Sequence, residues 1–222
     1  MLKHGGWDFF LTKGQTRVGL VLIHEIFGFD DYIKSVANQL SKNGHWAAAV
    51  DIYRGKRPAT LEEGFKIRES LSKDEILDAL GNGLKLLKEQ IGNNSRIGTM
   101  GFCMGGGFAL LGACNLEFDF CIDYYGMTQS VDEVAGLKGP VQLMLGGEDE
   151  RINPWAFQNF LPAAMKYKKR VDLHLYPNSR HAFHRPGWEG HNPDAAMDAW
   201  AKTLLFLRAF DPEESRHYEI LG

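Results

Sequence analysis

The stretch Arg96-Ile97-Gly98-Thr99-Met100-Gly101-Phe102-Cys103-Met104-Gly105-Gly106-Gly107 constrains the fold more than any other part of this 222-residue chain. It reads as a short strand, a sharp turn and the start of a helix. Gly101-Phe102-Cys103-Met104-Gly105 has the Gly-x-nucleophile-x-Gly form of a nucleophile elbow, with cysteine where serine is more usual. The glycines have a physical reason. A side chain carried on so tight a turn is often held at positive φ, and the neighbouring chain passes so close that a Cβ would clash. Cys103 then lies at a helix start, beside unpaired N–H groups and the positive end of the dipole, which favour a thiolate over a thiol.

Such a nucleophile needs partners, and an α/β-hydrolase presents them in the chain order nucleophile, acid, histidine. Asp149 follows the apolar run Val141-Gln142-Leu143-Met144-Leu145, in Gly146-Gly147-Glu148-Asp149. His181 follows Val171-Asp172-Leu173-His174-Leu175-Tyr176, in Ser179-Arg180-His181-Ala182-Phe183. Each sits just past its own predicted strand, where a parallel sheet gathers its site. Cys103 is the expected nucleophile, His181 the proton carrier, and Asp149 the group that holds the imidazole and its charge. The expected oxyanion donors are the backbone N–H groups of Met104 and Ile26. Glu25 directly follows a fully apolar strand and is expected to point into the same site.

The rest of the chain alternates strand and helix. Val18–Ile23 is a continuous apolar run, the mark of a strand buried on both faces. Asp30 or Asp31 can cap a helix that stops at Gly44, and Trp46–Val50 is the next strand. Helices are predicted over 61–71 and 74–90, the second weakened by Gly81 and Gly83. A strand over 118–124, a helix over 154–167 and a last helix entered through Asn192-Pro193 and running to Phe210 complete the pattern. The fold class is α/β: an α/β-hydrolase fold in a single domain over 1–222, with a mostly parallel sheet of about seven strands, helices on both faces and no large lid domain. Residues 211–222 read as a C-terminal tail.

Composition bears mainly on partners and compartment. A net charge of −3 provides no basic field for nucleic acid, and no apolar run approaches the ~20 residues of a membrane span. The N-terminus lacks the apolar core of a signal peptide, and three cysteines without Cys-x-x-Cys spacing suit a reducing cytoplasm. A monomer or small homo-oligomer acting on a small molecule is expected, with no cofactor and no metal. His181, His184 and His191 share a loop, yet no cysteine or matched carboxylate accompanies them. Gly105-Gly106-Gly107 lacks the Gly-Lys-Ser/Thr of a phosphate loop, so tight packing at the elbow explains it better. Cys114 reads as core, and Phe27 and Trp188 as candidate walls of a pocket.

Gly101-Phe102-Cys103-Met104-Gly105-Gly106, His24-Glu25-Ile26-Phe27-Gly28, Gly146-Gly147-Glu148-Asp149 and His181-Ala182-Phe183 together resemble the dienelactone hydrolase family, over about Val18 to Phe210. The resemblance implies a carboxymethylenebutenolidase-like enzyme that cleaves small esters or lactones through a covalent acyl-enzyme. It implies that Glu25 contacts the cysteine at rest and takes its proton when substrate arrives. It implies that Arg185, four residues after His181, is one of two arginines gripping a substrate carboxylate, and that Tyr124 is a pocket tyrosine. The second arginine has no match, because Leu61 stands at its place. The segment before Val18 is short for the family, so Trp7–Thr12 is expected as one edge strand with another missing. Alternatives left open are a general carboxylesterase or thioesterase of the same family, a non-catalytic binding protein and a thiol redox protein.

Overall fold

The computed structural model describes residues 1–128 and 131–212. One eight-stranded sheet runs in the order β1-β2-β4-β3-β5-β6-β7-β8. Its strands are β1 (Leu2–His4), β2 (Trp7–Thr12), β3 (Val18–Ile23), β4 (Trp46–Val50), β5 (Arg96–Phe102), β6 (Phe120–Tyr124), β7 (Val141–Gly146) and β8 (Val171–Tyr176). β1 and β2 form an antiparallel hairpin, β2 joins β4 antiparallel, and every later pairing is parallel. The α/β-hydrolase class stands. Among the described residues the sheet has eight strands where about seven were expected, because Leu2–His4 supplies the edge strand expected to be missing. That segment has only three residues and no apolar alternation, so nothing in its pattern marks it.

The helices are α1 (Asp31–Lys42), α2 (Leu61–Ser70), α3 (Lys73–Ile91), α4 (Met104–Asn115), α5 (Ile152–Trp155), α6 (Leu161–Lys166) and α7 (Pro193–Arg208), with a π-helical turn, Ala156–Phe160, between α5 and α6. Their starts follow local chemistry. The Asp30 carboxylate accepts from the Tyr32 and Ile33 N–H groups, Ser72 and Glu75 form a capping box, and Asn192 accepts from the Ala195 N–H ahead of Pro193. The C-terminal tail expected over 211–222 lies, from residue 213 on, outside the described residues.

β3 shows how the sheet makes two cores. Leu20 and Leu22 face α1 and α7, packing with Ile33, Val36, Ala199 and Leu207. Val21 and Ile23 face α3 and α4, packing with Leu80, Leu84, Leu87 and Ala109. Gly83, which weakens α3 by propensity, has a packing reason: a Cβ there would stand 2.8 Å from Val21. The helix uses that gap to lie close on the sheet. From β3 the chain moves first to β4 on one side, then to β5 on the other. The sheet therefore switches direction between β3 and β5, where Ile23 lies opposite Gly101. Their carboxyl ends open a crevice at that point.

Buried on the same sheet is Asp123 of β6, fully inaccessible, with Oδ1 accepting from the Gly126 N–H at 2.8 Å. Oδ2 has no partner among the described residues. Burial pushes its pKa up to about 7, against the smaller lowering effect of the Gly126 bond. A carboxyl with a raised folded pKa holds its proton longer than the unfolded chain does. Its stabilisation is full below the unfolded value and is lost as pH rises to about 7. Urea denaturation of wild type and Asp123→Asn at pH 4.5 and pH 8 tests this. The stability of wild type relative to Asn should fall by about 3 kcal/mol between the two. A difference unaltered by pH would mean that Asp123 is already charged at pH 4.5.

Candidate active site

β5 ends at Phe102, and Cys103 turns the chain with φ 54° and ψ −119° before α4 begins. A β-carbon substituent tolerates this region poorly, so the turn stores strain. The surrounding backbone enforces it. The Cys103 N–H donates to the Tyr124 carbonyl at 2.9 Å. A Cβ on Gly101 would meet the Gly105 carbonyl at 2.0 Å, and one on Gly105 would meet the Ile23 carbonyl at 2.4 Å. Only glycine fits either place. Gly106 and Gly107 pack equally closely against Asp123 and the Met127 carbonyl, in keeping with the packing reading of the glycine run.

Three side chains expected to meet do so. His181 Nε2 lies 3.0 Å from Cys103 Sγ, and His181 Nδ1 lies 2.6 Å from Asp149 Oδ2. Asp149 is almost wholly buried, and its other oxygen accepts from the N–H groups of Arg151 and Ile152. One carboxylate oxygen is thus held by backbone and the other by imidazole. Burial works to raise the Asp149 pKa, but the bond and charge of His181 and the two N–H donors outweigh it and hold it below the usual range. Burial likewise opposes charge on His181, yet its bonds to Asp149 and Cys103 prevail and raise its pKa to about 10. A thiol, an imidazole and a carboxylate in this order can activate a nucleophile and return a proton.

Glu25 emerges from β3 into the same crevice and is 4% exposed. Arg185 Nη1 donates to its Oε2 at 2.7 Å, and the Tyr125 hydroxyl donates to Oε1 at 3.4 Å. Arg185 Nη2 also donates to Asp30 Oδ2 at 2.5 Å. Asp30 therefore caps α1 with one oxygen and holds Arg185 with the other. Burial raises the Glu25 pKa, with Arg185 pulling against it. The contact between Glu25 and the thiol implied by the resemblance is not the arrangement here. Glu25 bonds to Arg185 and Tyr125, while Sγ faces His181.

The tyrosine expectation needs correction. Tyr124 is buried in the core, its hydroxyl 2.8 Å from Thr203 Oγ1 on α7. The pocket tyrosine is Tyr125, which lines the cavity beside Cys103, touches Glu25 and packs edge-on to His181 at 5.3 Å. Tyr124 is the last residue of β6, whereas Tyr125 lies past the strand end at φ 45°, where the chain turns at the carboxyl edge of the sheet beside Cys103. The histidine loop also separates. His184 Nδ1 meets the Tyr32 hydroxyl and His191 Nδ1 donates to the Phe183 carbonyl. Among the described residues no three His, Cys, Asp or Glu side chains form a metal-sized cluster. Cys114 and Cys121 are buried, and burial pushes both thiols up, Cys114 to about 12.

The crevice is a cavity of about 420 Å3. Phe27 and Trp188 wall it together, ring centroids 5.7 Å apart. Leu61, Phe65 and Arg68 face it from one side of α2, and Arg151 stands over the Phe65 ring at 5.5 Å. Arg68, out of register with the family's second arginine in the sequence, does reach the cavity, while the presence of Arg151 there and the pairing of Arg185 with two carboxylates were not read from the sequence. Arg68 comes from α2, Arg151 from the start of α5 and Arg185 from the segment between β8 and α7, so only the folded chain brings them to one cavity.

The sheet order, the elbow and the nucleophile–acid–histidine order define an α/β-hydrolase. The sequence model of the dienelactone hydrolase family matches residues 9–211, and the chain belongs to that family. It is 29% identical to a candidate carboxymethylenebutenolidase of Saccharolobus solfataricus, over 90% of this chain and 92% of that one. It is 24% identical to carboxymethylenebutenolidase of Pseudomonas putida, over 85% and 84% of the two chains. A crystal structure of a candidate dienelactone hydrolase from Klebsiella pneumoniae superimposes with a TM-score of 0.80 at 22% identity, covering 87% of each chain. The protein is a carboxylic ester hydrolase of the dienelactone hydrolase type. No helix among the described residues is long and apolar enough to cross a membrane.

The Arg185–Glu25 pair yields a stability prediction. Removing the guanidinium leaves a buried carboxylate without its cation, which typically costs about 3 kcal/mol. Arg185→Met should lose that much at neutral pH and less at pH 5, where Glu25 can take up a proton. Adding Glu25→Gln should restore at least half of the loss. Urea titration of the single and double variants provides the check, and additive losses would show the two groups to be uncoupled.

Proposed function

We propose that the protein hydrolyses a small ester or lactone through Cys103, His181 and Asp149. The observation that carries this reading is the unbroken chain from Asp149 through His181 to Cys103 Sγ, opening on a 420 Å3 cavity. Cys103 attacks the acyl carbon as thiolate and the carbonyl oxygen becomes an oxyanion. The N–H groups of Met104 and Ile26 receive that charge; neither has an acceptor among the described residues. The imidazolium of His181, supported by Asp149, gives its proton to the departing alkoxide. Water, deprotonated by His181, then attacks the thioester, the tetrahedral adduct collapses and Cys103 is released. Glu25 assists from the side as a carboxyl with raised proton affinity. It can take the thiol proton if a substrate anion draws Arg185 away.

Two observations favour a neutral acyl ester over a carboxylate-bearing lactone. Arg185 is already matched by Glu25 and Asp30, and Leu61 stands where the resemblance implies a second arginine. Against them, Arg68 and Arg151 face the cavity and form no ion pair among the described residues, so cationic groups are within its reach.

The deciding experiment compares steady-state hydrolysis of cis-dienelactone and p-nitrophenyl acetate by wild type and Cys103→Ala. Turnover of one or both should fall by about 10^4-fold or more in Cys103→Ala, with circular dichroism unaltered. Wild-type rates in the alanine variant would end the covalent reading. Preference for the dienelactone would mean that a substrate carboxylate finds a working cation; preference for the acetate would mark a related esterase. Cys103→Ser should also be a poor enzyme, since a hydroxyl is far harder to ionise than a thiol. Equal rates for Ser and Cys would contradict that.

A further inference from the structure

His24 stands between β3 and Glu25, fully buried, with no place in the chemistry so far. Its Nδ1 lies 2.7 Å from the Glu25 backbone oxygen. A carbonyl only accepts, so Nδ1 carries the hydrogen and donates. The Gly28 N–H donates to the same oxygen at 3.1 Å, closing the turn Glu25-Ile26-Phe27-Gly28. The Glu25 carbonyl is thus held by two donors on one side.

A planar trans peptide converts this into an effect on its neighbour. The Glu25 C=O and the Ile26 N–H belong to one rigid unit and point in opposite directions, and no peptide among the described residues is cis. Fixing the oxygen on the His24 side therefore fixes the Ile26 N–H on the other. The site lies there. Ile26 and Cys103 line the same cavity, and Gly105 presses so near that a Cβ on it would stand 2.5 Å from the His24 carbonyl.

The rest of the His24 environment gives no reason in stability for a histidine. Its ring packs edge-on to Tyr53 at 4.8 Å and to Phe29 at 6.5 Å. Its Nε2 is buried with no partner among the described residues. Burial, outweighing the Glu25 bond and the charge of Asp51, lowers its pKa to about 4, so the ring is neutral at pH 7 and Nε2 is an unprotonated acceptor. An orphaned buried acceptor costs free energy that an apolar residue would avoid. The compensating task is at Nδ1.

We propose that His24 is a positioning residue for the oxyanion hole, its Nδ1–H orienting the Glu25–Ile26 peptide so that the Ile26 N–H faces the developing oxyanion. The proposal rests on the reading of Ile26 as an oxyanion donor in Cys103-dependent hydrolysis.

The test compares wild type, His24→Leu and His24→Asn in two reactions at Cys103. The Asn side-chain amide places an N–H where Nδ1–H stands, and Leu removes it. Hydrolysis of p-nitrophenyl acetate forms an oxyanion. Alkylation by iodoacetamide does not: sulfur bonds to the methylene carbon, the carbon–iodine bond breaks and iodide leaves. His24→Leu should lower kcat by about 10^2-fold with little effect on KM. Its alkylation rate should stay within about threefold of wild type, and His24→Asn should recover most of the lost kcat. Unaltered kcat in the Leu variant overturns the proposal. So does a parallel loss of alkylation, which would mean general damage to the site, or an Asn variant no better than Leu. If His24→Leu does not fold, His24→Phe fills the ring volume without the donor and takes its place. Absence of Cys103-dependent ester turnover in wild type instead removes the hydrolytic reading on which the proposal stands.

Discussion

The left-handed backbone at Cys103 is the constraint on which the site depends. A non-glycine residue at φ 54° between a strand and a helix is unfavourable on its own. It persists because β5 is locked on both sides, to β3 through the Ile23–Gly101 pairing and to β6 through Phe102–Tyr124. The helix that follows cannot swing away, since Gly105 is seated against the Ile23 and His24 carbonyls. The strain has a geometric consequence. Sγ is turned toward His181, and the Met104 N–H beside it has no acceptor among the described residues.

Around that turn the protein concentrates charge that it does not release to solvent. Asp149 is held by two N–H donors and an imidazole, so its negative charge supports His181 without competing for the proton. Glu25, Arg185 and Asp30 form a second group in which one guanidinium joins two carboxylates. Tyr125 joins the two groups, with its hydroxyl on Glu25 and its ring against His181. A change in Glu25 is therefore positioned to be felt at the imidazole. Burial matters as much as pairing here, because a low-dielectric setting strengthens each interaction and makes each unpaired group expensive.

The proposed oxyanion side follows the same logic through the main chain. β3 ends, His24 anchors the next carbonyl, Gly28 closes the turn, and α2 lies over it, with Gly64 admitting the Ile26 backbone at a distance that any side chain would forbid. In the oxyanion role proposed for Ile26 and Met104 the side chains would contribute little, and the neighbours that fix the peptide planes, a histidine and glycines, would contribute more.

Much of this was legible in the chain itself. The elbow glycines, the apolar runs and the caps at Asp30 and Asn192 act over a few residues, so local spacing is enough to read them. The order Cys103, Asp149, His181 was legible because each follows its own strand and parallel strands end on one side. The edge strand Leu2–His4, the exchange of Tyr124 for Tyr125, the double pairing of Arg185 and the bond from His24 to its neighbour's carbonyl were not. Each depends on which groups come within about 3 Å after the sheet has closed, and residues as far apart as Glu25 and Arg185 carry no mark of that in their spacing. The sequence by itself determined the class of fold and the place of Cys103 at the elbow, because strand periodicity and positive-φ turns are local properties of the backbone. Only the tertiary structure decided which charges are matched and which donors stay open, because hydrogen bonds and ion pairs are set by distances across the chain.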